Sequence, residues 1–189
     1  MSDMMTPSLN MKARQSGVAL VTGLIFMVVL TIIVISALRS ATLEERMAAN
    51  ARNRQVALQS AEAVLRDAEI SITGDVAAGV AAAAPFDPFT PALFKADCTG
   101  GYCNKPVAGA APRWQDAGIW DAASSREGTT AIDGVSAPPR YIVEIVNTPI
   151  LMPGQACPKV LYRITARGQG QDNSTVFVQT MVRHMPANC

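Results

Sequence analysis

Four cysteines are the residues whose type and number most clearly allow chemistry in this chain of 189 residues. They are Cys98, Cys103, Cys157 and Cys189, and an even number of cysteines permits complete pairing. In an oxidising compartment they form disulfides, and four cysteines allow three pairings. Closeness in the sequence favours Cys98 with Cys103 and Cys157 with Cys189, and the other two pairings stay open.

No other group of residues forms a catalytic or metal-binding pattern. The cysteines lack the Cys-x2-Cys spacing of structural zinc sites, and the only histidine is His184. The segment from Gly168 to Gly170 is too short for a dinucleotide-binding fingerprint. Glu44 and Glu45 are paired carboxylates, but adjacent residues of a helix point apart. We therefore expect no enzymatic activity, no cofactor and no metal ion.

Composition limits the kind of partner that the chain can bind. Lysine and arginine total 16 against 15 acidic residues, and a net charge of +1 provides no field for gathering nucleic acid. Hydrophobic residues reach 49 % while charged residues make up only 16 %. Because a chain of this length has room for one modest domain, such an apolar excess is expected to be concentrated in one segment.

That segment is residues 18–38, VALVTGLIFMVVLTIIVISAL, which contain no charged side chain. As a helix the segment measures about 31 Å, enough to span a bilayer. Its few hydroxyl groups, such as that of Thr22, can bond to carbonyls of the preceding turn. Lys12 and Arg14 precede the run and favour a cytoplasmic N-terminus. A buried core helix and a cleaved secretory signal are the alternatives, but the run is long for either.

Residues 39–73 predict a continuation of the helix, since neither proline nor glycine occurs in them before Gly74. Apolar residues recur there at steps mostly of three and four, and the resulting stripe consists of Leu43, Met47, Ala51, Leu58, Ala61, Leu65, Ala68 and Ile72. Arg54 interrupts this stripe. We expect residues 57–72 to pack on a domain, and the part before them to face solvent or a neighbouring subunit.

Residues 74–139 are rich in glycine, alanine and proline and predict a loop region. Loops of this kind commonly carry recognition surfaces. Trp114 and Trp120 lie within the segment RWQDAGIW and are candidates for a partner-binding surface. The alternative interpretation is that both side chains fill a local core.

Three strand-like runs follow in residues 140–189. They cover residues 141–146, 160–167 and 175–183, and side chains alternate between two faces in the second and third runs. The segment GQGQDNS between the last two supplies turn residues for an antiparallel connection. We therefore expect an α+β fold, in which a long N-terminal helix packs on an antiparallel sheet of three or more strands.

The start of the apolar run resembles the junction of a type IV prepilin. It reads KARQSGVALV, with basic residues and Gly17 before an uninterrupted apolar helix. The resemblance implies that a prepilin peptidase cuts after Gly17, so that residues 1–17 are a cytoplasmic leader and Val18 becomes the methylated first residue. Most pilins carry glutamate at the fifth mature position, where this chain has Thr22. That difference suggests a subunit with no predecessor, at the tip of a fibre, and a divergent family member is the alternative.

Two further segments resemble the PilX type of minor pilin. They are LEERMAANARNRQVALQSAEAVLRDAE in the helix and YRITARGQG before the last strand. The resemblance implies the type IV pilin fold, in which a disulfide such as Cys157 with Cys189 closes a C-terminal loop. It also implies a structural role: priming pilus assembly and supporting twitching motility and surface adhesion.

By the same resemblance, the protein begins as a single-pass inner-membrane protein with its C-terminal domain in the periplasm, and it ends in the extracellular pilus fibre. Its partners would be membrane lipid before assembly, the prepilin peptidase, the inner-membrane assembly platform, the major pilin, other minor pilins and a tip-associated adhesin. A type II secretion pseudopilin and an unprocessed membrane-anchored periplasmic binding module are the alternatives.

Overall fold

A computed structural model describes residues 16–84, 86–87, 89–147, 151, 153–154, 157–172 and 174–186. It contains one α-helix, α1 (Ser16–Thr73), and five strands: β1 (Tyr102–Cys103), β2 (Arg126–Glu127), β3 (Arg140–Ile145), β4 (Val160–Gln169) and β5 (Thr175–His184). The chain divides into two compact units, of which the first ends at Ala48 and the second begins at Ala49.

The first unit is helical throughout its described part, and its apolar side chains are uncovered. In residues 18–38 the large hydrophobic side chains are between 47 and 73 % exposed. The hydroxyl of Thr31 donates to the carbonyl oxygen of Val28 at 2.7 Å, so this polar group is satisfied within the helix. By length and composition, α1 is the one helix of the described residues that could cross a membrane.

The second unit is built on a sheet in the order β1-β3-β4-β5, with β2 paired to β3. β3, β4 and β5 are antiparallel neighbours, and β4 pairs with β5 along all ten residues of each strand. The predicted α+β fold is confirmed, and the three predicted strands begin and end within two residues of those observed. The three predicted strands pair antiparallel as expected, and β1, which lies in the region predicted to be loops, adds a parallel pairing with β3. The long connection between these two strands allows the parallel crossover.

One face of the sheet packs against α1. Buried helix residues, among them Ala61, Val64 and Ala68, meet alternate residues of β4 such as Tyr162 and Ile164. This alternation is the reason that the two layers form: a strand buries every second side chain, whereas a helix buries one stripe.

The opposite face of the sheet is covered by part of residues 74–139, which we call the middle region. Ile119 and Trp120 belong to the short 3₁₀ helix Ala117–Trp120, and they pack on Ile142 of β3 together with the cysteines Cys98 and Cys103. The region predicted to be loops therefore supplies the two short strands β1 and β2 and a second, smaller core. Short elements of this kind leave no periodicity that a sequence could reveal.

Candidate functional site

The predicted processing site lies in the first turn of α1. Gly17 and Val18 are exposed, and a Cβ atom at Gly17 would have no neighbour within 4 Å. A protease that needs close access to the backbone would meet no steric hindrance from the described residues here. Cleavage after Gly17 stays a prediction.

Thr22 satisfies its own hydrogen-bonding potential. Its hydroxyl donates to the carbonyl oxygen of Val18 at 2.7 Å and lies 3.2 Å from that of Ala19. A threonine bonded in this way carries no charge and leaves no donor exposed to lipid. The site therefore needs no partner of opposite charge, in contrast to a glutamate at the same position.

Cys98 and Cys103 are joined by a disulfide and are fully buried. Cys98 adopts a left-handed backbone conformation with φ of 58°, and the disulfide packs beside Trp120 and Ile142. Cys157 is also disulfide-bonded. Cys189 lies outside the described residues, so the pairing of Cys157 with Cys189 stays a prediction.

The two tryptophans that were candidates for a partner surface differ in burial. Trp120 is only 5 % exposed, and its indole N–H donates to the carbonyl oxygen of Trp114 at 3.0 Å. Trp120 is therefore a core residue, as in the alternative interpretation, and offers little surface for a partner. Trp114 is half-buried, and both ring centroids lie between 5.3 and 5.4 Å from that of Phe177 on β5. Trp114 and Phe177 remain at the surface.

A buried carboxylate that the sequence analysis did not single out holds the middle region on the sheet. Glu144 on β3 is 0 % exposed and accepts a hydrogen bond from Nε of Arg163 at 2.9 Å. Its other oxygen lies 3.6 Å from Nε of Arg113, an ion-pair distance. A glutamate within the apolar run YIVEIV was a visible signal, because a charge in a buried strand needs a partner.

Arg113 connects this carboxylate to the loop that precedes it. Its guanidinium donates to the carbonyl oxygen of Ala96 and, at 2.6 Å, to the side-chain oxygen of Asn104. The planar guanidinium of Arg113 thus connects Glu144 of β3 to Ala96 and to Asn104. We call Glu144, Arg113 and Arg163 the buried ion cluster.

A second carboxylate fastens the middle region to α1. Asp67 accepts hydrogen bonds from the backbone N–H groups of Thr129 and Thr130 at 2.7 and 3.0 Å. Burial acts to raise the pKa of Asp67, but the hydrogen bonds from Thr130 and Thr129 outweigh it and lower the pKa. No feature of the local sequence predicted this contact, because the partners are 62 and 63 residues apart.

The described residues hold no cluster of three or more histidine, cysteine, aspartate or glutamate side chains that could bind a metal ion. Burial lowers the pKa of His184, although the charge of Asp87 acts in the opposite direction. The first unit offers an uncovered apolar helix as binding surface, and the second offers a sheet with half-buried Trp114 beside exposed Phe177. Such surfaces suit protein assembly.

Two family models match the chain and together account for both units. Residues 16–66 match the family described as PilX N-terminal, and residues 78–184 match the family described as type IV pilus assembly protein PilX C-term. The second match alone covers more than half of the chain. Neither a curated protein nor a solved structure matches.

Proposed function

Because the chain belongs to the PilX family of type IV pilus assembly proteins, we propose that it is a minor pilin that primes assembly and enters the fibre. The observation that carries this proposal is that the family matches include both the uncovered apolar helix and the sheet. A role in pilus assembly is structural, and the proposed protein acts by binding other subunits instead of by catalysis.

The proposal gives the apolar half of α1 two successive environments. Before assembly, residues 18–38 lie in the inner membrane, with the N-terminus in the cytoplasm and the sheet in the periplasm. After cleavage behind Gly17, the same side chains are buried among other pilins in the fibre. An apolar segment without a covering layer supports this view, since lipid and neighbouring helices both remove it from water.

Thr22 supports a position at or near the tip. A threonine that bonds to Val18 of its own helix gains nothing from a preceding subunit, whereas the glutamate of most pilins pairs with one.

In this proposal the partners are the prepilin peptidase, the assembly platform, the major pilin, other minor pilins and a tip-associated adhesin. Twitching motility and surface adhesion would then depend on this chain through the number of fibres.

Mass spectrometry of the protein from cell envelopes and from sheared pili tests the proposal. The expected species begins at a methylated Val18 and occurs in the pilus fraction. A chain that keeps residues 1–17 in both fractions would instead support the unprocessed binding module. A Gly17→Val variant, which adds bulk at the cleavage point, should accumulate uncleaved, while Gly23→Ala, further along α1, should be processed normally.

Immunogold labelling of native fibres tests the position. We expect label at one end of the fibre, and label at regular intervals along the shaft would contradict a tip subunit.

A Thr22→Glu variant provides the second test. If Thr22 marks a starting subunit, the number of fibres per cell should fall in this variant, whereas Thr22→Ser, which keeps the hydroxyl, should preserve it.

A further inference from the structure

β5 is an edge strand of the sheet in the described part of the chain. It pairs with β4 on one side, and no described residue pairs with its other side. The strand is ten residues long, and an edge of this length carries a row of backbone N–H and C=O groups that can pair with another strand.

The ladder hydrogen bonds identify which backbone groups point outwards. The register between β4 and β5 is constant, and the N–H of Gly170 donates to the carbonyl oxygen of Ser174 at 2.9 Å. Hydrogen-bonded pairs alternate along antiparallel strands, so the even-numbered residues of β5 bond to β4. The N–H of Val146 donates to Leu161 on the other side of β4, which fits the same alternation.

It follows that the backbone groups of Phe177, Gln179, Met181 and Arg183 face the open edge. The side chains of these four residues share the face of the sheet that α1 does not cover. Phe177 is 38 % exposed and Met181 is 59 % exposed. Two large apolar side chains therefore lie beside a row of backbone groups that no described residue pairs with.

A groove of about 670 Å³ lies at the start of this edge. Asn50, Asn53 and Arg54 of α1 form one wall, Trp114 forms the other, and residues 175–177 of β5 lie between them. The groove thus follows the edge of the sheet between its two covering layers, and a chain lying in it would contact both.

Two arginines stand at the ends of this edge without an ion pair to any described residue. Arg54 is exposed on the groove wall, and Arg183 is exposed near the end of β5. Asp172 also borders the groove, but it accepts a hydrogen bond from the side chain of Asn53. Because the donor is a neutral amide, Asp172 keeps its negative charge. The two arginines still leave one net positive charge along this edge, which fits a carboxylate on an incoming segment.

We propose that the open edge of β5 binds an extended segment of another pilus subunit as an added strand. The segment pairs with the outward backbone groups of residues 177–183, places apolar side chains against Phe177 and Met181, and carries a carboxylate towards Arg54. This proposal rests on the proposed function, and it assigns the partner surface to the strand edge and to Trp114.

Photocrosslinking of the full chain in pilus-producing cells tests the added strand. The probe is p-benzoylphenylalanine in place of Phe177, combined with Met181→Pro or Met181→Ala in the same chain. Proline removes the outward N–H and blocks the edge while leaving the bonds to β4 in place, whereas alanine keeps the N–H. We expect an adduct with an identified pilus subunit that falls about tenfold in the proline variant and persists with alanine.

A second pair of variants keeps the test valid if Met181→Pro disturbs folding, which resistance to protease would reveal. Arg54→Glu should weaken the adduct, and Arg52→Glu, exposed on the same helix outside the groove, should leave it unchanged. Equal adducts within both pairs would overturn the proposal, as would an adduct between two copies of this chain. A chain present in sheared pili without any adduct overturns the added strand alone, and a chain absent from pilus fractions overturns the proposed function with it.

Discussion

At the scale of single residues, the buried ion cluster depends on one carboxylate, that of Glu144. Glu144 has no exposed surface, and its two oxygens face Arg163 and Arg113 at 2.9 and 3.6 Å. Removing one member of a buried ion pair is costly, since the partner charges stay behind without compensation.

Glu144→Gln should therefore lower the free energy of unfolding by about 3 kcal/mol, because it leaves Arg163 and Arg113 without their counter-charge. Urea denaturation followed by tryptophan fluorescence measures this change in the full chain. The matched control is Glu127→Gln, which removes the exposed partner of a half-buried Arg140 and should cost less than about 1 kcal/mol. Equal effects of the two substitutions would contradict the role assigned to the cluster.

Asp67 makes the attachment of the middle region dependent on pH. Its pKa in the folded protein lies below that in the unfolded chain, so its hydrogen bonds to Thr130 and Thr129 stabilise the fold fully above the unfolded pKa. This stabilisation is lost as the pH falls through the folded pKa. Asp67→Asn should lower stability at neutral pH and reduce the further decrease below pH ~4.

Thermal unfolding measured from neutral to acidic pH checks this expectation. Glu62→Gln, exposed on the same helix, is the control and should leave the acid profile unchanged. If Asp67→Asn loses as much stability on acidification as the parent chain, the assigned hydrogen bonds do not account for the pH dependence.

At the scale of elements, the helix and the sheet approach each other closely at Gly168. A Cβ atom on Gly168 of β4 would lie 2.0 Å from the carbonyl oxygen of Ala57 and 2.3 Å from the hydroxyl of Ser60. The backbones of α1 and β4 can approach this closely because Ala57 and Ser60 are small and Gly168 has no side chain.

Gly168→Ala should destabilise the second unit by about 3 kcal/mol, because backbone and side chain would have to move apart. Urea denaturation of the full chain measures the loss. The control is Gly118→Ala, where the nearest atom to the added Cβ is 3.3 Å away, and a small effect is expected there. Similar losses at both positions would show that the interlayer distance is not the cause.

The elements also show which parts of the fold are visible in a sequence. α1 and β3 to β5 follow from periodicity, because their buried faces repeat every 3.6 or two residues. β1 and β2 are two residues each, and they exist through pairing with β3. Their formation depends on contacts distant in sequence, which local patterns do not report.

The candidate site divides in the same way. The roles predicted for Gly17, Val18 and Thr22 stay predictions, and they could be assigned from the sequence because they depend only on position along one helix. The surface formed by Trp114, Phe177 and the β5 edge depends on which elements end up adjacent. For that reason the burial of Trp120 required the structure.

At the scale of the whole molecule, the proposed membrane stage makes a prediction about charge. Val29 lies in the middle of the apolar run, and an arginine there should cost about 2.5 to 3.5 kcal/mol on insertion scales. Val29→Arg should therefore release the chain from membranes during alkaline extraction. Met47→Arg changes an exposed apolar residue beyond the run and should leave the chain membrane-bound. Extraction of both variants alike, or of neither, would argue against the span at residues 18–38.

The hydrogen bond from Arg113 to Asn104 also makes the chain suitable for labelling. The segment between these residues is closed at its base by the 2.6 Å hydrogen bond, and Val107 and its neighbours up to Ala111 are exposed. A short epitope inserted after Gly109 would enlarge a loop that is already closed, which costs little entropy. In the proposed pilus, antibodies against the epitope would then mark the fibres that contain this chain.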